Sequence, residues 1–269
     1  MKLTYKSKIS LLLIISYVVI ELLVVVRDKG FGLFGRALGL LQNDGPTLLG
    51  AVIYFVYALA LSVLPLYIIK NWRSIKFHFR LRQDIDWLSL ALLFLTFAWS
   101  FRDQIADTIT NLPKTSLSET IYNILMGSQP GFFEEFLVRG TLLVLLVTIL
   151  KNGKYKAINV ALLSSIVFGL LHLINFIGGG QGLLETVQQV LYAVVLGLIF
   201  TVMYYRTGSL WVPIFWHALL DSTYNFSSAG GTSSWWDLIT AFLPVFIVSI
   251  WMLRPSMNET NLAKFNTND

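Results

Sequence analysis

The chain alternates long apolar runs with short charged connections, and this alternation leaves few folds open to it. A helix needs about 20 mostly apolar residues to cross the hydrocarbon of a bilayer. Eight stretches approach that length, near residues 9–26, 47–69, 86–101, 131–150, 157–177, 183–205, 209–226 and 235–253. Inside lipid every backbone polar group needs an internal partner, so such runs fold as helices. The pattern predicts an all-α fold: a polytopic membrane helix bundle of about eight transmembrane helices. It forms a single integral membrane domain over 1–269, with a polar tail at 254–269.

Composition supports this reading. Hydrophobic residues make up 55% of the chain and charged residues 13%, with a mean hydropathy of +0.68. Soluble domains carry about a quarter charged residues. The absence of cysteine removes disulfides, thiolate metal sites and cysteine nucleophiles from consideration. The apolar run after Lys2, Lys6 and Lys8 is long enough to span and ends without a small-residue cleavage site, so it reads as a retained first helix.

The net charge of +5 marks loops rather than nucleic-acid binding. With eight spans, Lys2, Lys6 and Lys8, the basic 70–82 loop and the 151–156 loop all fall on one side. The positive-inside rule makes that side cytoplasmic and predicts a multi-pass cell-membrane protein with both termini inside.

Ionisable groups within apolar spans are expensive, and each one is a functional-site hypothesis. Glu21 and Glu185 are the weaker instances, one in a valine-rich helix and the other near a span end. The stretch "GFFEEFLVRG" carries Glu134, Glu135 and Arg139. Glu135 and Arg139 are four apart, share a helix face and can pair. Glu134 points about 100° away and is the carboxylate left free. In "SSIVFGLLHLINF", Phe168 and His172 repeat the spacing, as do His217 and Asp221 in "LWVPIFWHALLDSTYNF". An Asp one turn from a His can fix the imidazole tautomer and raise its basicity. His78 lies in the basic loop and reads as solvated or interfacial.

Measured from the outer end of each span, Glu134 lies about 5 Å deep, His172 about 8 Å and His217 about 14 Å. Three helices thus present one carboxylate and two imidazoles at overlapping depth, a set suited to activating water. It works either through a metal, as in His and carboxylate zinc sites, or with Glu as general base and His as partner or oxyanion donor.

"EEFLVRG" resembles the E-E-x-x-x-R-G motif of the CPBP intramembrane proteases, a family that includes the CAAX prenyl endopeptidases and the Abi proteins of bacteriocin self-immunity. "SSIVFGLLH" is similar to its F-x-x-x-H motif and "TGSLWVPIFWHALLDS" to its H-x-x-x-N/D motif. The resemblance covers a core of roughly 120–226. It implies that Glu134, aided by His172, activates the attacking water. It also implies that His217 and the residue four later bind the oxyanion, with Glu135, Arg139 and Phe168 in support. The chain departs from the prenyl endopeptidases in carrying Asp221 where they usually have Asn. An ionised Asp repels an oxyanion, so Asp221 is expected either to be protonated or to act on His217. No cofactor is predicted, since no metal motif of specific spacing is present; a zinc ion held by Glu134, His172 and His217 is the alternative.

The function expected is an intramembrane endopeptidase acting on a peptide or membrane-protein substrate in the lipid bilayer, with the resemblance linking it to bacteriocin self-immunity or peptide maturation. The predicted topology opens the site to the outer half of the membrane, which favours exported peptides over prenylated cytosolic proteins. The competing readings are a non-catalytic membrane immunity protein that shields a bacteriocin receptor and, ranked last, a proton-relay transporter. The transporter lacks paired broken helices.

Overall fold

Short polar signals start several of the helices, and apolar faces hold them together. The computed structural model describes residues 5–42, 45–73, 79–150, 153–227 and 233–255. His78 and nearly all of the polar tail expected at 254–269 lie outside the described residues.

Helix α1 (Tyr5–Ala37) has 33 residues. It runs on through Arg27 and Gly30, where the sequence reading ended the span. Ile14, Val18 and Leu22, one turn apart, stay exposed on its surface, as a lipid-facing stripe does. A two-residue antiparallel ladder follows, with β1 (Leu41–Gln42) paired to β2 (Gly45–Pro46) in the register Leu41 to Pro46. Helix α2 (Leu48–Arg73) comes next. The side chain of Asp86 then accepts the Ser89 backbone N–H at 3.1 Å and starts α3 (Trp87–Ser100).

Helix α4 (Arg102–Asn111) is polar and short. After a 3₁₀ turn at Leu112–Lys114, the "SLSE" stretch acts as an N-terminal signal: Ser116 accepts the Glu119 backbone N–H at 3.2 Å. Helix α5 (Leu117–Glu135) begins there, and its backbone stays helical through a π-helical stretch (Phe136–Leu143) into α6 (Val144–Ile149). The charged triplet therefore sits inside a long helical rod, not at the head of a span beginning near residue 131. Helices α7 (Lys156–Leu171), α8 (Ile174–Ile177), α9 (Leu183–Thr207), α10 (Trp211–Tyr224) and α11 (Trp235–Met252) complete the chain.

The expectation of about eight transmembrane helices is corrected. Among the described residues five helices are long and apolar enough to cross a membrane: Lys8–Ala37, Leu48–Ile68, Lys156–Ile177, Leu183–Thr207 and Trp235–Met252. The stretches near 86–101 and 209–226 form helices of 14 residues each. At 1.5 Å per residue these reach about 21 Å, short of a ~30 Å hydrocarbon core. The 131–150 stretch is divided among the end of α5, the π-helical stretch and α6, with three charges inside it. An even number of spans placed both termini on one side, and that inference does not carry over to five.

Helix α5 packs chiefly on α10 and α2, α7 on α9, and α11 on α3 and α9. Burying apolar side chains gives little net drive where lipid is equally apolar, so close approach of backbones matters more. A Cβ on Gly127 would run into the Ser222 backbone, and one on Gly131 into the backbone N of Ala218. These two glycines, four apart on α5, let α10 come close, and α10 carries His217.

Candidate functional site

The polar groups of the three motifs gather around the contact of α5 with α10, with α7 and α9 alongside. Glu135 and Arg139 are fully buried, and Arg139 Nη1 donates to Glu135 Oε1 at 2.9 Å. Nη2 of Arg139 donates to the Gly197 carbonyl of α9 at 3.0 Å. The guanidinium also lies over the Phe168 ring, 4.6 Å from its centroid. Three helices thus converge on one buried cation.

The same Glu135 oxygen takes a second donor. His217 Nδ1 lies 2.9 Å from Glu135 Oε1. A carboxylate oxygen accepts, so Nδ1 carries the proton of this bond. Nε2 then faces two further carboxylates, with Asp221 Oδ2 at 3.4 Å and Glu134 Oε2 at 3.8 Å. The orienting role that helical spacing assigned to Asp221 at the imidazole falls to Glu135 at Nδ1, while Asp221 meets the other nitrogen. The His217 ring stacks on Phe200 at 4.9 Å and meets the edge of Phe168 at 5.9 Å. Its side chain is 6% exposed.

His172 closes α7. Its Nδ1 lies 3.0 Å from the Phe168 carbonyl one turn earlier. A carbonyl only accepts, so Nδ1 donates and Nε2 keeps its lone pair when the ring is neutral. Phe168 packs edge-on against this ring at 5.2 Å, and so touches both histidines and the arginine.

A cavity of about 850 Å³ joins these groups. Glu134, Phe168, His172, His217 and Asp221 all line it, whereas Glu135 and Arg139 lie behind its wall. Glu134 keeps 24% of its side chain exposed, and no hydrogen bond to it is found among the described residues. Polar residues, among them Gln181, Glu185, Asn225 and Asp237, line the same cavity. Beside Asp221, α4 is pinned to α10: Gln104 Nε2 donates to the Leu220 carbonyl and to Thr223 Oγ1, both at 2.6 Å.

The alternative zinc set was Glu134, His172 and His217. Among the described residues no group of three His, Cys, Asp or Glu side chains is placed to hold a metal ion. His217 donates from Nδ1 to Glu135 and His172 from Nδ1 to its own helix, an arrangement that fixes each ring and leaves Nε2 for the cavity chemistry, as the outer hydrogen bonds of metal-bound histidines also do.

Sequence reasoning missed several residues of the site. Arg27 falls just past the apolar stretch 9–26, yet it lies in α1 and lines the cavity. The run "FGLF" just after it was the signal that the helix continues. Phe200 and the Gly197 carbonyl left no polar signature. The small-residue spacing in "GSQPG" is the one signal of a close helix approach on α5, without naming the partner helix.

A family model, Type II CAAX prenyl endopeptidase Rce1-like, matches residues 116–223. This span runs from the cap of α5 into α10, less than half of the chain, and contains every residue named in the three motifs. The match supports the broader CPBP group and an intramembrane-protease-like fold for this segment, without singling out a member. No curated protein and no solved structure matches the chain.

Proposed function

We propose that the protein is an intramembrane endopeptidase that hydrolyses a peptide bond with water activated by Glu134 and two histidines. The observation that carries this reading is the shared cavity, whose wall brings together a hydrogen-bond-free carboxylate, Glu134, and the imidazoles of His172 and His217. In an intact bundle these groups are too costly to keep without use.

Glu134 takes a proton from a water molecule, while His172 Nε2 accepts the water's second O–H and holds its oxygen toward the substrate. That oxygen attacks the carbonyl carbon, and the carbonyl π pair moves onto its oxygen as an oxyanion. The pair then returns and the C–N bond breaks. The proton held on Glu134 passes to the departing nitrogen, leaving a carboxylic acid and an amine, and the acid's proton then passes through His172 Nε2 to the amine to give a carboxylate and an ammonium. Glu135 fixes His217 through Nδ1, which turns Nε2 toward Glu134. General acid–base help of this kind contributes about 10²–10⁴-fold.

Purified protein in proteoliposomes, given a library of quenched fluorescent peptides, tests the proposal. Glu134→Gln, His172→Ala and His217→Ala are each expected to lose cleavage while keeping the wild-type helical content. Full activity in all three folded variants refutes the reading. Loss of cleavage with retained bacteriocin protection in cells favours the shielding protein instead.

A further inference from the structure

The proposed mechanism leaves the oxyanion poorly served. His217 Nε2 faces the carboxylates of Asp221 and Glu134, and both repel negative charge developing beside them. A cation that is not already spent on Glu135 would offset them, and the cavity wall holds two, of which Arg102 pairs with Asp103 and lies over Trp99 while Arg27 lies beside the helix turn that carries Glu134.

Arg27 lines the same cavity as Glu134 and His217. Its side chain is 12% exposed and lies over the Phe133 ring, 4.7 Å from the centroid, next in sequence to Glu134. The guanidinium is held from one edge only. Nε donates to Asp28 Oδ1 at 2.7 Å and Nη2 to Asp28 Oδ2 at 3.2 Å. Tyr54 of α2 fixes that carboxylate in turn, donating from its hydroxyl at 2.6 Å. Nη1 is different: it is shielded from solvent and has no hydrogen-bond partner among the described residues. Buried N–H donors nearly always find an acceptor. Nη1 lies behind the water-accessible surface of the cavity that Arg27 lines, so it meets an acceptor entering the cavity when the side chain turns toward it. The charge of Arg27 is also near enough to interact with that of Glu134, the group proposed to deliver water to the carbonyl.

We propose that Arg27 is a further catalytic residue, whose Nη1 binds the oxygen of the scissile carbonyl and stabilises the oxyanion formed there. The assignment rests on the hydrolytic reading above. A guanidinium already largely desolvated stabilises such a charge more strongly than one in water, because the local dielectric is lower. Asp28 and Tyr54 are positioning residues: they hold the guanidinium and leave one N–H for the substrate. The same assignment explains how the site tolerates Asp221. The donor that the Asp221 carboxylate lacks is supplied from α1.

The test compares Arg27→Gln, Arg27→Lys and Arg27→Ala with wild type and Glu134→Gln in the same proteoliposome cleavage assay, with thermal unfolding measured for each. Arg27→Gln is expected to lower kcat by about 10²–10³ with little change in KM, as loss of an oxyanion donor does. Arg27→Lys should keep part of the activity. Added guanidinium at a non-denaturing concentration should restore Arg27→Ala but not Glu134→Gln. An inactive Glu134→Gln beside a fully active Arg27→Gln overturns the Arg27 assignment alone. So does an effect confined to KM, or a folded Arg27→Ala that guanidinium leaves inactive. A fully active Glu134→Gln overturns the hydrolytic reading and this assignment with it. If Arg27→Ala and Arg27→Gln do not fold, Arg27→Lys decides: unchanged kcat counts against the assignment, since an ammonium does not reproduce the fork geometry of the guanidinium.

Discussion

His217 donates from Nδ1 to Glu135 Oε1 at 2.9 Å, and Arg139 Nη1 donates to the same oxygen at the same distance. One buried carboxylate thereby joins a stability element to the candidate chemistry. Removing one member of a buried, hydrogen-bonded ion pair costs about 3–5 kcal/mol, because the survivor is left charged and unpaired. Replacing both with apolar side chains of similar volume costs much less. Glu135→Leu is therefore expected to lower thermal stability in detergent sharply, and Glu135→Leu with Arg139→Met to recover most of it. Cleavage should stay lost in the double variant, because Nδ1 of His217 no longer has its acceptor. A double variant that is both stable and fully active would show that Glu135 acts on folding alone.

A second prediction concerns the close approach of α5 and α10. A Cβ at position 131 collides with backbone atoms of Ala218, which cannot rotate away as a side-chain tip would. Gly131→Ala should force the helices apart, costing about 1–3 kcal/mol as overpacking does, and should move His217 away from Glu134. Lower unfolding temperature and reduced kcat are expected together. Gly32→Ala is the control: a Cβ there meets nothing within 4 Å. It should leave activity unchanged and be neutral or slightly stabilising, because alanine loses less backbone freedom in a helix. Equal behaviour of the two variants would count against a tight α5–α10 seam.

What could be read from the sequence follows from the range of each interaction. The pairing of Glu135 with Arg139 needs only helical spacing, and so does the presence of Asp221 beside His217. The bond from His217 to Glu135 joins positions 82 apart on different helices, and no periodicity reports it. Arg27 was hidden for another reason. An apolar run ends where charge begins, but a helix ends only where its backbone does, and α1 continues to Ala37. The same gap between apolar length and helix length explains the span count. The stretch 131–150 is apolar enough on average to be read as one unit, yet it folds as parts of three consecutive segments.

The last prediction turns on Asp221. Its Oδ2 lies 3.4 Å from His217 Nε2, and the residue lines the cavity. If its part is to accept a proton shared with Nε2, the Oδ1 atom of an asparagine can accept as well. Asparagine also brings an N–H that can donate to an oxyanion, and it removes a negative charge from beside the reacting carbonyl. Asp221→Asn is therefore expected to keep cleavage and to raise kcat if oxyanion stabilisation limits the rate. Asp221→Leu, which can neither accept nor donate, should lose activity. The two variants measured side by side, with unfolding temperature as a check on folding, separate the roles. Loss of cleavage in both would mean that the ionised carboxylate itself is required at this position, as a base or as a counter-charge to His217. Retention in both would remove Asp221 from the machinery and leave His217 held by Glu135 alone.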